Sequence, residues 1–139
     1  MSDYIIRGCR IEEVAAVLEL WRQADATPSV TDTALDLRRA IAESSAHVLV
    51  AEIEGRVIGS IIGAFDGWRG NIYRLAVHPD CRRQGIAGAL VGEIEKRLIR
   101  QGAKRITALV EKDHPTPMGF WEAVGYRVDA RIVRRVRTL

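Results

Sequence analysis

The stretch from residue 71 to residue 102 constrains the chain most. A β-type run, Asn71-Ile72-Tyr73-Arg74-Leu75-Ala76-Val77, stops at His78-Pro79, because proline cannot continue a ladder. The turn Cys81-Arg82-Arg83-Gln84-Gly85 follows, and then the period changes: Ile86, Leu90, Ile94 and Leu98 recur at helical spacing until Gly102 supplies a stop. A strand, an arginine- and glycine-containing turn and a helix N-terminus therefore stand in direct succession. The first N–H groups of such a helix lack intrahelical acceptors, and its dipole adds positive potential there, so the junction suits an anion. Gly85 and Gly88 allow close approach, and the Lys-Ser/Thr pair of a P-loop is missing.

The rest of the chain predicts an α+β domain, a mixed three-layer arrangement of sheet and helices. Residues 4–7 read as a short strand. Val14, Val17, Leu18 and Trp21 then share one face of a helix over residues 12–24. A second helix is expected after Thr31 or Asp32, with Leu35 and Ile41 inward, ending at Ser44 and Ser45. Residues 47–53 and 57–65 are β-rich and joined by Glu54-Gly55-Arg56, a hairpin-type connection. Beyond residue 102, residues 105–111 read as a strand. Pro117 is placed for the first turn of a helix through Val124, Gly125 closes it, and residues 126–128 and 132–136 are expected to form a terminal β pair.

At 139 residues, 47% of them apolar, without repeats or polar linkers, the chain is expected to be a single domain spanning residues 1–139. Cys9 and Cys81 lack the paired spacing of a zinc site or disulfide framework, so no metal is expected and a reduced setting fits. No leader-like N-terminus and no run of roughly 18 apolar residues is present, which argues against a membrane role and for a cytoplasmic location. The net charge of +3 mildly favours anionic partners, a phosphate-bearing cofactor as well as nucleic acid.

The arrangement Arg82-x-x-Gly85-x-Ala87 after Leu75-Ala76-Val77-His78-Pro79 resembles the acetyl-CoA-binding signature of the GNAT superfamily of N-acetyltransferases. Phe120-Trp121-Glu122-Ala123-Val124-Gly125-Tyr126 resembles that family's C-terminal Phe-Tyr-Glu-x-x-Gly-Phe segment, and the order of elements over about residues 3–137 resembles the whole fold, a mostly antiparallel sheet with helices on both faces. The resemblance implies acetyl transfer from acetyl-CoA to a primary amine, of a small molecule or of a peptide or protein, by direct transfer in a ternary complex. It further implies that the backbone of Leu75, Ala76 and Val77 bonds the pantetheine arm and that Arg82, Arg83, Gln84, Gly85, Ile86, Ala87 and Gly88 wrap the pyrophosphate. His114 stands where relatives often carry an asparagine touching the pantetheine.

Acetyl transfer needs a neutral amine, a stabilised oxyanion and a proton for the departing thiolate. Many family members donate that proton from a tyrosine whose place here is taken by Trp121, which can hydrogen-bond but is not a useful acid. Tyr73 or a water could donate instead, and Trp121 could order the sulfur pocket or simply pack its helix. A backbone N–H on the strand ending at Val77 would meet the oxyanion. Glu111 and Asp66 are the candidate bases, and Trp21, Trp68 and Arg69 the candidate acceptor wall. The rival reading is a non-catalytic CoA-binding sensor or interaction module. Arg131, Arg134, Arg135 and Arg137 lack aromatic interleaving and read as a solvated basic edge rather than a nucleic-acid surface; a homodimer is compatible with the sequence.

Overall fold

The computed structural model describes residues 3–112 and 118–139 of the chain. It separates into two compact units, Met1–Leu109 and Val110–Leu139, each described by itself.

The first unit holds a five-stranded sheet in the order β1-β2-β3-β4-β5. Its strands are β1 (Ile5–Gly8), β2 (Ala46–Ile53), β3 (Arg56–Phe65), β4 (Gly70–Val77) and β5 (Ile106–Ala108). Neighbours pair antiparallel except β4 and β5, which run parallel because α3 (Ile86–Gln101) carries the chain back between them. A 3₁₀ turn at Ile11–Glu13 leads into α1 (Val14–Gln23), and α2 is Ala34–Ala42.

Period-2 alternation along the strands sends side chains to opposite faces, and both faces are covered. On one, Val48, Val50 and Ala76 pack with Val14, Val17, Leu20 and Trp21 of α1 and Leu37 of α2. On the other, a Cβ placed on Gly59 would lie 3.2 Å from Leu90, and one on Gly63 would overlap Ile94, so those two glycines seat α3 flat on the sheet. Ile86, Leu90, Val91, Ile94 and Leu98 are buried along one stripe of α3, and Gly102, at φ 114°, closes it by donating its N–H to Leu98 and Ile99. The expected α+β, three-layer architecture is the one observed.

Several local expectations need correction. Thr33, not Thr31 or Asp32, caps α2, its hydroxyl accepting from Asp36 N–H at 3.1 Å. Leu37 is the buried face residue of α2, whereas Leu35 is 53% exposed. β5 ends at Ala108 rather than Glu111, because its partner turns away after Ile72: the β4–β5 register covers Gly70–Ile72, with one further bond from Leu109 N–H to the Ile72 carbonyl at 3.2 Å.

In the second unit, α4 (Met118–Ala123) ends at Gly125, whose N–H bonds the Glu122 carbonyl at 3.1 Å. Trp121 is buried, with the rings of Phe120 and Tyr126 meeting it edge-on at 5.3 Å each. The expected β pair over residues 126–136 is absent among the described residues. A local turn stands there instead, in which Ile132 N–H bonds the Asp129 carbonyl and Arg131 pairs with the Asp129 carboxylate. Val128, Ile132, Val133 and Val136 are all at least 68% exposed, so no apolar burial fixes a register.

Candidate active site

β4 breaks its own ladder. Ser60 of β3 faces Ala76, yet Ile62 faces Tyr73, so Arg74 and Leu75 together stand opposite Ile61. This is a bulge, and Arg74 carries it at φ 54°, a left-handed conformation that a residue with a Cβ adopts only when its surroundings hold it there. From the bulge onward, Leu75, Ala76 and Val77 continue along β3 after the register with β5 has ended. The two parallel strands thus diverge, and β4 keeps an edge with main-chain groups for an added extended ligand.

At the end of that edge His78, held by N–H to the Ile58 carbonyl at 2.7 Å, turns the chain; its Nδ1 accepts from Asp80 N–H at 3.1 Å and starts a 3₁₀ turn over Pro79–Cys81. Arg82, Arg83, Gln84 and Gly85 follow, all exposed, with Arg83 at φ 64° and Gly85 at φ 79°. Gly85 is the N-cap of α3 and brings no side-chain acceptor, so the first-turn N–H donors of this sixteen-residue helix are left without a side-chain cap beside the loop. A Cβ on Gly85 or on Gly88 would meet nothing within 4 Å, which leaves room for a ligand against the backbone at both. A cleft of about 410 Å³ borders the loop on its β3 side, lined in part by Arg56, Asp80 and Gln84.

On the α1 and α2 side of the sheet, Trp21 is buried and donates its indole N–H to the fully buried Ser60 hydroxyl at 2.9 Å. A second cleft, about 490 Å³, is lined by Leu18, Trp21, Asp25, Thr27, Pro28 and Asp32 among others. Trp21, expected in the acceptor wall or the core, is a buried core residue of α1 that also lines this cleft. Ser60 and Arg74, which complete this neighbourhood, were not singled out from the sequence, and Asp32 was read only as a helix cap; a charged residue in the middle of the Tyr73-Arg74-Leu75-Ala76-Val77 run was the signal that could have found Arg74.

Other expected site residues lie elsewhere. Asp66, Trp68 and Arg69 form the β3–β4 turn, at the opposite end of β4 from residues 82–85. Asp66 accepts the N–H groups of Arg69 and Trp68 at 2.8 Å each, which holds its carboxyl below the usual range and makes it a weaker base. The Arg69 guanidinium stacks 4.3 Å from the centre of the exposed Trp68 ring. Glu111 is exposed in the second unit, past the end of β5 rather than on it. His114 and Pro117 lie outside the described residues. Among the described residues there is no grouping of His, Cys, Asp and Glu that could hold a metal, and no helix long and apolar enough to cross a membrane.

Residues 14–126 match the model of the acetyltransferase (GNAT) family. The chain is 38% identical to the acetyltransferase ECA0875 of Pectobacterium atrosepticum, over 87% of this chain and 86% of that one. Its fold is shared by the PaiA N-acetyltransferase of Thermoplasma acidophilum in complex with coenzyme A, at a TM-score of 0.81, 19% identity and 91% coverage of each chain. It is also shared by the aminoglycoside 6'-N-acetyltransferase AAC(6')-Ih of Acinetobacter baumannii, at a TM-score of 0.79, 16% identity and 99% coverage of each.

Proposed function

Because the chain belongs to the acetyltransferase (GNAT) family, we propose that it transfers an acetyl group from acetyl-CoA to a primary amine, directly and within a ternary complex. The observation that carries the cofactor half is the uncapped N-terminus of α3 behind the exposed, left-handed loop at residues 82–85. Backbone donors and a helix dipole recognise phosphate oxygens, and the Arg82 and Arg83 guanidiniums add charge at the rim. Leu75, Ala76 and Val77 offer the pantetheine amides a β-type partner along the edge that β5 leaves.

The reacting groups lie, on this reading, beside the bulge. The amine nitrogen bonds the thioester carbon, the carbon–sulfur bond breaks, one proton leaves the amine and one reaches the thiolate. A backbone N–H of β4 meets the oxyanion, since the bulge frees main-chain donors from the ladder. Trp121 is packed by two edge-on rings and has no acidic proton, so it orders its surroundings while Tyr73, half exposed just before the bulge, supplies the thiolate proton. Glu111 and Asp66 are the two proposed bases, and Asp66 is weaker than an ordinary aspartate because its own turn holds its carboxyl down. The cleft at Trp21 receives the acceptor, with Trp68 and Arg69 at the far end of β4 as an outer contact for larger substrates. The relative from A. baumannii acts on aminoglycosides; small polyamines of that kind and peptide amines are the two classes to test. Residues 1–139 are read as one catalytic domain, supported by a family match that runs through residues 14–126.

The test is thiol release from acetyl-CoA against a panel of aminoglycosides, simple amines and peptides, with Gly85→Glu and Gly88→Glu beside the unmodified protein. Gly88→Glu is the sharper variant: its position is helical with open space, so the change strengthens the helix while placing a carboxylate at the phosphate seat. Turnover by the unmodified protein that disappears in both variants is expected. Undiminished turnover in Gly88→Glu would overturn the cofactor assignment, and CoA binding without turnover on any acceptor would make the chain a CoA-binding module.

A further inference from the structure

From the β4 bulge the Arg74 side chain reaches Asp32 and Trp21, two residues that line the second cleft. One guanidinium nitrogen, Nη2, donates to both carboxylate oxygens of Asp32, at 2.9 and 2.7 Å, and the guanidinium carbon lies 5.3 Å from the centre of the Trp21 ring. Both side chains of the pair are mostly shielded, at 17% and 19% exposure, so solvent weakens the contact less than it would an open surface pair. Trp21 is itself fixed from behind by Ser60, the β3 residue that pairs with Ala76 across the bulge.

Asp32 has a second duty. Its Oδ2 accepts from Ser29 N–H at 3.1 Å while Asp32 N–H bonds the Ser29 carbonyl at 3.0 Å, so the carboxylate that Arg74 grips is also the one that shapes the turn between α1 and α2. Trp21 and Asp32, the two groups touched by Arg74, both line the 490 Å³ cleft. A left-handed arginine is unfavourable by itself; here its side chain is held by two residues that line that cleft.

We propose that Arg74 is a positioning residue that couples the cofactor edge of β4 to the acceptor side: the Arg74–Asp32 clamp ties the geometry of the bulge to the geometry of residues 24–33. The inference rests on the cofactor reading above. A ligand paired along residues 73–77 restrains the bulge, the restrained bulge holds the guanidinium, and the guanidinium holds the turn around Asp32. The acceptor cleft then reaches its final form through this clamp when the cofactor edge is occupied.

Hydrogen exchange with coenzyme A as the probe tests this, read over residues 24–33 and 73–77 in the unmodified protein, Arg74→Met and Asp32→Asn. Calorimetry run in parallel establishes whether coenzyme A binds. The expected result is slower exchange in both segments on binding to the unmodified protein. In the two variants protection is expected to persist at 73–77 and to disappear at 24–33. With any acceptor the unmodified protein turns over, Arg74→Met should raise the acceptor KM about tenfold while leaving the Kd of coenzyme A, measured without acceptor, within about twofold. Asp32→Asn is close in shape to the native residue and approaches the clamp from the loop end, so a fold defect peculiar to Arg74→Met would not decide the matter. Protection of 24–33 that survives in both variants, or that never arises in the unmodified protein despite measured binding, would overturn the coupling. Absence of coenzyme A binding to the unmodified protein would overturn the cofactor assignment beneath it.

Discussion

At the scale of single residues, the strongest electrostatic feature outside the site is the N-terminal hub. Arg7 donates to Glu13 at 2.8 and 2.7 Å and to Glu52 at 2.9 Å, joining the start of α1 to β1 and β2, and Arg10 N–H adds a bond to Glu13 at 2.9 Å. The hydrogen bond from Arg7 is the main reason the Glu13 carboxyl is held down at about 2, from an ordinary 4.5. A carboxyl that is more acidic when folded binds its proton more readily in the unfolded chain, so its contribution is present above about 4.5 and is lost as the pH falls through about 2. Glu13→Gln should therefore be less stable than the unmodified protein at pH 7, with the gap narrowing across that window; urea titrations at several pH values read it. Tyr73 is the residue-scale test of the chemistry. Tyr73→Phe keeps the ring and removes the proposed proton donor, and the expected loss is about 100-fold in kcat with the acetyl-CoA KM little changed. A kcat within about twofold of the unmodified value would assign the proton to water instead. Neither Arg74 nor Asp32 could be paired from sequence, because 42 positions separate them and only the bulge brings them together.

Among the elements, those with a strong period were the legible ones. The burial stripe of α3 needs no tertiary information, and neither do the apolar runs of β2 and β3, so these emerge within a residue or so of their observed limits. Elements whose form depends on a partner were not. β5 reads as seven residues of β propensity yet has three, since a strand lasts as long as its neighbour stays alongside and β4 departs at Ile72. In α2 both Leu35 and Leu37 are apolar, and packing against β2 and α1, not periodicity over nine residues, decides that Leu37 is inside. Gly63 belongs to this scale: in sequence it is a weak spot in a strand, whereas in the fold it is where α3 comes nearest the sheet. Gly63→Ala should lower stability by roughly 1–3 kcal/mol, because its Cβ would overlap Ile94 in a packed interior. Ile94→Ala in the same chain should return part of that loss, although it is destabilising alone, and thermal melts of the three variants expose the non-additivity.

For the whole molecule, the proposed phosphate loop was the most legible part of the candidate site because the proposal rests on backbone donors, a helix end and two glycines, all of which a local sequence specifies. The proposed acceptor side was the least legible, because Trp21, Ser60, Arg74 and Asp32 come from α1, β3, β4 and the α1–α2 connection and mean nothing separately. That contrast sets the last prediction. A ligand that binds the folded chain and not the unfolded one stabilises it by mass action, about 2.7 kcal/mol at a hundred times its Kd. For a chain of 139 residues that corresponds to a rise in Tm of roughly 10 °C. If recognition resides mainly in the loop and the helix end, dephospho-CoA, which keeps the pyrophosphate, should retain most of the shift. Pantetheine, which has only the arm, should give little at the same concentration. Gly88→Glu should melt near the unmodified protein without ligand and lose the shift with it, since its new carboxylate competes for the same donors. Equal shifts from pantetheine and coenzyme A would move the binding energy onto the edge of β4, and the phosphate loop would then be a connection and not a seat.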